Sequence, residues 1–160
     1  MPATAPIRPT DTPETALSSL PLYLPPVRPR DVVELSRVGQ IIYTPGVLPR
    51  WGDEVRFGGR VDADVSVRNA VQAAELCIHN MIALLRAELG TLDAIQQVMQ
   101  INVLVRCSEG FENISRVADG ASAALYQVFG AQGRHHRIVM PTAELPRGAV
   151  VQVSGIFRTS

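Results

Sequence analysis

Between Asp64 and Gly90 the segment DVSVRNAVQAAELCIHNMIALLRAELG repeats apolar side chains at Val67, Val71, Ala74, Ile78, Met81, Leu85 and Leu89. Alternating steps of four and three put all seven on one stripe of an α-helix, with Asp64 as the N-cap and Gly90 as the stop. A stripe of that length demands a second layer to bury it. The period then changes. After the link TLDAIQQV, the residues Met99, Ile101, Val103 and Val105 alternate with Gln100, Asn102 and Arg106, which predicts a strand with one buried face. ENISRVADGASAALYQVFG returns to helical spacing through Ile114, Val117, Ala121, Leu125 and Val128, ended by Gly130. RIVMPTAEL and AVVQVSGIF are two more strands, joined at Pro146, Arg147 and Gly148.

Upstream, VVELSRVGQIIYTPG from Val32 holds two short β-branched runs around Val38 and Gly39, a hairpin pattern. The order is strand, strand, helix, strand, helix, strand, strand, which predicts an α+β fold: a single mixed β-sheet with two helices packed on one face. At 160 residues, 46% of them apolar, the chain can bury one core and is short for two. Residues 32–160 therefore form the domain. With no third helix in the pattern, the second face of the sheet is expected to be covered by copies of the chain in a closed homo-oligomer. Residues 1–31 stand apart as an N-terminal arm. Eight of the twelve prolines lie in positions 1–30, and fixed φ with missing amide donors predicts an extended segment. Within it Leu22, Tyr23 and Leu24 are expected to dock on the domain, a partner-recognition motif being the alternative.

Charge removes several functions. Lys+Arg and Asp+Glu cancel at 15 each, and no block of like charge occurs, so nothing gathers nucleic acid or anionic lipid. The long loop Val47 to Asp62 alternates Trp51 and Phe57 with Arg50, Arg56 and Arg60, as a base-stacking platform would, but Asp53, Glu54 and Asp62 cancel the charge locally. It reads as a partly packed loop at a pocket rim, with Trp51 the candidate ligand contact. Cys77 and Cys107 lie far apart in apolar segments without CxxC spacing, and are expected to be buried free thiols. No apolar run approaches the roughly 18 residues of a membrane span, and the N-terminus lacks a signal-peptide pattern. A soluble, cytoplasmic protein without membrane or nucleic-acid partners is expected.

The chemistry-bearing motifs are few. His135 and His136 are adjacent in an extended segment, so their side chains point to opposite faces and one metal does not easily take both. His79 is alone in mid-helix, and no HExxH or Cys/His cluster is present, so no metal site is expected. There is no GxSxG, GxGxxG or P-loop pattern, and no cofactor is expected. Arg137 is different. It opens a strand directly after the AQGRHH loop, where a guanidinium can bind a carboxylate through two parallel hydrogen bonds, or else form a structural ion pair or subunit contact.

IIYTPGVLP (41–49), the helix beginning near Asp64, INVLVRCSEGF (101–111), DGASAALYQVFG (119–130), GRHHR (133–137) and AELPRGAVVQV (143–153) together resemble the Rid (YjgF-like) family of enamine/imine deaminases. The distance from Arg137 to Leu145-Pro146 matches the family's arginine and its Leu-Pro turn. The resemblance implies a chorismate-mutase-like fold, assembled as a homotrimer whose sheets form an inner β-barrel with clefts between subunits. It also implies that Arg137 anchors the carboxylate of a small metabolite while backbone groups near Ile138 and Met140 and a water hydrolyse an enamine or imine to a 2-oxo acid and ammonia. Ile138, Val139, Met140 and Gln152 would line that cleft.

Five positions depart from the family. Gln152 stands where a glutamate is common, Asp119 where an asparagine is, Ile138 and Val139 where small Ser and Cys follow the arginine, and Val32 at a tyrosine position. Asp119 is either a substitute base or a solvated helix residue. The reaction class implied is hydrolysis of a C=N or enamine bond, with larger aminomuconate-like substrates suited to Ile138 and Val139. A non-catalytic trimer that binds a metabolite or protein is the alternative, and RNA cleavage a third.

Overall fold

The computed structural model describes residues 11–28, 31 and 34–160. Strands β1 (Ser36–Val38), β2 (Ile41–Tyr43), β5 (Ile95–Arg106), β6 (His136–Thr142) and β7 (Val151–Thr159) form one sheet in the order β1-β2-β7-β5-β6. All its pairings are antiparallel except β5 with β6. Helices α2 (Val67–Leu89) and α3 (Ile114–Phe129) pack on one face. A second, two-stranded ribbon, β3 (Arg50–Trp51) and β4 (Glu54–Val55), lies inside the long loop. The predicted mixed α+β sheet is thus observed, with a further short helix, α1 (Pro13–Ser19), in the arm.

The core lies between helices and sheet. Ile101, Val103, Val105, Val151, Val153 and Phe157 from the sheet meet Ala74, Ile78, Met81, Leu85, Val117, Ala121 and Leu125 from the helices, all fully buried. Burying a Val, Leu, Ile or Phe side chain stabilises by roughly 1.5–3 kcal/mol, so this layer carries most of the fold. Cys77 and Cys107 are free and buried, as expected from their apolar settings. Among the described residues no helix is long and apolar enough to cross a membrane.

Three local readings change. Asp64 does not cap α2: its carboxylate accepts the Arg60 amide at 3.0 Å inside a tight turn, and Ser66 caps the helix by accepting the Asn69 amide. β5 begins at Ile95, four residues before the expected start, after a 3-10 turn at Leu92–Ala94. Register shifts between Ile95 and Gln97 and between Val98 and Gln100 bury Val98 and turn Met99 outward, 38% exposed, because each bulge displaces the alternation by one residue.

The arm is not simply extended. Pro13 occupies the first helical turn, where its missing amide costs nothing, and Thr12 and Thr15 form a reciprocal capping box. Glu14 then accepts the Leu92 amide at 2.8 Å and pairs with Arg86 at 3.1 Å, while Ala16 and Leu17 are buried. Leu22 and Leu24 pack against the core; Tyr23 between them is 90% exposed, since successive side chains of an extended chain alternate. The hairpin forms as expected around Gly39, whose φ of 59° suits glycine. Val32 and Val33, its proposed beginning, lie outside the described residues.

The second sheet face carries Val38, Tyr43, Leu104, Ile138, Met140 and Ile156, with a polar strip across its middle. Gln100 donates to Asn102 at 3.1 Å, and Asn102 to Ser154 at 3.3 Å. Ile138 and Met140 are 48% and 53% exposed there.

α2 and α3 come into close contact at Gly120. A Cβ on Gly120 would collide with the Val71 carbonyl oxygen and sit 2.9 Å from Val71 Cγ1. Gly120→Ala is therefore expected to cost about 2 kcal/mol despite alanine's better helix propensity, because overpacking outweighs it. Urea unfolding checks this; a variant as stable as wild type contradicts the close contact.

Candidate functional site

Helix α3 presents Asp119, Ser122, Ala123 and Tyr126 on one stripe, at i, i+3, i+4 and i+7. The 3-10 turn Gly130–Gly133 returns the chain to the sheet, and His135, just before β6, and Arg137, its second residue, face that stripe. Together these six residues line a cavity of about 430 Å³. Arg137 Nη1 donates to Asp119 Oδ1 at 2.9 Å and to Ser122 Oγ at 3.2 Å. The Ser122 hydroxyl lies 2.9 Å from His135 Nε2, and His135 Nδ1 lies 2.6 Å from the Gly133 carbonyl oxygen. The Tyr126 ring stacks on the imidazole with centroids 5.5 Å apart. Burial lowers the His135 pKa below its ordinary value; the bond to Gly133 opposes this, and the charges of Arg137 and His136 add to it.

A larger cavity, about 580 Å³, is lined by Arg28, Asp31, Glu34, Gly46, Arg50, Asp53 and Arg147 among others. At its base the buried Asp31 carboxylate accepts from Arg50 at 2.6 Å and from both Nε and Nη2 of Arg28, at 2.9 and 2.8 Å. Burial by itself would raise the Asp31 pKa, but the hydrogen bonds from Arg28 and Arg50 outweigh it and hold the group at about 2. Arg147, with φ of 56° in the Pro146–Gly148 turn, donates to the Asp53 carbonyl oxygen at 2.6 Å. Gly46 lies directly under the Gln152 side chain, and any Cβ there would displace it.

The family model described as "YjgF/chorismate_mutase-like, putative endoribonuclease" matches residues 22–157. The chain belongs to this family. It is therefore a YjgF-like, or Rid, protein, as the sequence motifs indicated. It is 33% identical to the protein Atu1372 of unknown function from Agrobacterium tumefaciens, with a TM-score of 0.84 over 93% of this chain and 94% of that one. RidA from the Antarctic bacterium Psychrobacter sp. PAMC 21119 shares the fold, with a TM-score of 0.56 at 22% identity over 78% of this chain and 85% of that one. Protein TCP17 of Trypanosoma cruzi is 37% identical over 99 residues, 61% of this chain; the match spans 62% of the length of TCP17.

Within this Rid chain the residues singled out from sequence separate into groups. Arg137 and Asp119 meet, as an ion pair. Val139, two residues beyond Arg137, turns the same way and packs against the core, whereas Ile138 and Met140 project from the opposite face of β6. Gln152 stands on β7, two strands from β6, on that opposite face beside Leu104. One copy of the chain therefore does not bring Ile138, Met140 or Gln152 to Arg137. Trp51 is outside both cavity linings, with the Arg56 guanidinium 5.6 Å from its ring centroid. Ser122 and Tyr126 escaped the sequence reading, which weighed His135 only as a metal ligand. Helical spacing from Asp119 to Ser122 and Tyr126, and the strand spacing from His135 to Arg137, were the signals available for them.

The Asp31 cluster makes a definite prediction. Removing one partner of a buried pair costs about 3 kcal/mol, so Asp31→Ala is expected to lose that much at neutral pH by leaving Arg50 uncompensated. The folded chain holds Asp31 more acidic than the unfolded chain does. Its share of stability, about 2 kcal/mol, is therefore whole above about pH 4 and lost as pH falls toward 2. Denaturant midpoints of wild type and variant between pH 6 and pH 2.5 should converge on the acid side; parallel curves count against this role.

Proposed function

We propose that this chain is a cytoplasmic Rid-like hydrolase that acts on a small enamine or imine carboxylate, with Arg137 as the carboxylate anchor. The observation that carries the reading is the Arg137 guanidinium held in a cavity beside a carboxylate and a hydroxyl. Both of its bonds leave from Nη1, so the Nε–Nη2 edge is the one on which a substrate carboxylate can lie in two parallel bonds. Asp119 then faces the nitrogen end. Its negative charge favours the protonated iminium, the form most open to water, over the neutral imine. In this role Asp119 stabilises a cation and is not the base. Positioning supplies much of the rate, because a bound iminium needs only a correctly placed water.

The working form in this proposal is a homotrimer whose sheets close an inner barrel, with clefts between subunits. What supports it is the apolar second face of the sheet, with Ile138, Met140, Val38 and Tyr43 exposed, and the separation of Gln152 from Arg137. A site using both residues takes them from different copies. A binding role without turnover is the second reading, favoured by the amide at Gln152, which cannot accept a proton from water as a carboxylate would. RNA cleavage, which the family description names, lacks a charge basis here: Arg50 is buried on Asp31, Arg60 is paired with Glu144, and the chain is neutral.

Two measurements test this. Ammonia release from a panel of imino acids and aminomuconate-like compounds should be found in the wild type and fall about 100-fold or more in Arg137→Ala. Identical rates in the two proteins refute the anchor, and saturable ligand binding without turnover transfers support to the binding role. Asp119→Asn frees Arg137 from an exposed partner, worth at most about 1 kcal/mol, so a simple carboxylate without a cationic nitrogen should bind up to several-fold more tightly. Calorimetry reads that change.

A further inference from the structure

With His135 neutral, the hydrogen bonds around Ser122 admit one arrangement of protons. A carbonyl oxygen only accepts, so the 2.6 Å contact with Gly133 places the imidazole proton of neutral His135 on Nδ1. Nε2 is then a bare lone pair, and the hydroxyl 2.9 Å away must donate to it. Arg137 has no lone pair to offer, so at 3.2 Å it donates to the oxygen of the same hydroxyl. The result is a chain polarised in one direction, from Arg137 through Ser122 to His135 and on to Gly133. Its central oxygen has its proton drawn toward a base while a cation stabilises the charge left behind. Tyr126 stacks over the imidazole and fixes the ring plane. This is the arrangement of nucleophile or proton carrier, base and orienting acceptor that acid/base chemistry needs.

We propose that Ser122 and His135 form a proton relay that activates the hydrolytic water, doing the work of the carboxylate that Gln152 lacks; this rests on the C=N hydrolysis proposed above. Water held against Ser122 Oγ attacks the iminium carbon. A C–O bond forms, and the π pair of the C=N bond moves to nitrogen. The water proton passes to Ser122 Oγ as the Ser122 proton passes to His135 Nε2, giving a neutral carbinolamine and an imidazolium. In the second half the proton returns from His135 through Ser122 to the amine nitrogen. The C–N bond then breaks with its electron pair going to nitrogen, the hydroxyl proton passes through Ser122 to the now neutral His135 and from there to solvent, and the carbonyl forms as ammonia departs with no change of oxidation state. Arg137 on one side keeps both the hydroxyl oxygen and the substrate carboxylate in place. The charged and titratable groups around His135 are Arg137 on the adjoining strand β6, its neighbour His136, which points the other way, and Asp119 and Tyr126 on α3.

The test is made on the full chain. Ammonia release from imino acids is compared among wild type, Ser122→Ala, His135→Asn and the double variant. Each single variant is expected to lose about 100-fold in kcat, with KM within about two-fold of wild type. The double variant should be no slower than the slower single one, because the two groups act in one chain of transfer. The base must be neutral to work, so wild-type kcat should fall as pH drops through the His135 pKa, and that acid limb should vanish in His135→Asn. Turnover unaffected by both substitutions overturns the relay and leaves the hydrolase reading intact. No turnover by the wild type on any compound overturns the reaction, and the relay with it. Nitrogen NMR of the imidazoles gives a readout besides activity: neutral His135 protonated on Nδ1, with Nε2 shifting in Ser122→Ala, supports the relay, and protonation on Nε2 overturns it.

Discussion

Everything in this chain hangs on burying one face of a five-stranded sheet beneath two helices. The β5 and β7 side chains at the centre of that layer have no exposure, and α2 offers them a stripe of Ala, Ile, Met and Leu between Ala70 and Leu85. Small residues let the layers close tightly. Gly120 brings α3 against the Val71 backbone, and this fixes α3 so that its polar edge stands beside the first residues of β6. The site is a by-product of that packing. Asp119, Ser122 and Tyr126 sit along the edge of α3 that faces the cavity, and Arg137 sits on the edge strand with His135 just before it, where no further strand among the described residues covers them.

Two electrostatic arrangements follow from this edge geometry, and they differ in kind. The Asp31 carboxylate is buried and saturated by Arg28 and Arg50, so its worth is structural and it would be costly to break. Arg137 and Asp119 are paired at 26% and 61% side-chain exposure, where water screens the attraction and a ligand can compete for the guanidinium. A strong ion pair makes a poor binding site. The weaker pair is therefore the one around which the functional reading is built. Behind it, Ser122 and His135 are held by bonds whose direction follows from elementary donor and acceptor rules.

Much of the fold was legible from periodicity. Helices α2 and α3, the hairpin β1–β2 and strands β5 to β7 follow apolar spacing, because the hydrophobic effect acts on side chains whose positions the backbone geometry sets. Departures occurred where a local hydrogen bond decided between near equals. Ser66 displaced Asp64 as a cap because Asp64 is engaged with the Arg60 amide, and Thr12 with Thr15 turned a proline-rich stretch into a helix. Met99 was misplaced by bulges that no alternation pattern announces. Of the candidate site, Arg137 was visible as a lone guanidinium at a strand entrance. The grouping of Ile138, Met140 and Gln152 with it fails in a single chain, because strand alternation splits adjacent residues between two faces and β5 intervenes.

The sequence by itself determined the layer order, the strands of the sheet and the family, and it singled out Arg137 as the candidate anchor. Each of these depends on spacing or count along one chain. Only the tertiary structure decided that Arg137 meets Asp119 and Ser122, that His135 turns toward Ser122 while His136 turns away, and that Asp31 lies buried between two arginines. Those facts join residues 13 to 19 positions apart through a helix docking angle, a turn and a few directional hydrogen bonds. Such quantities are set by packing in three dimensions, and no one-dimensional pattern encodes them.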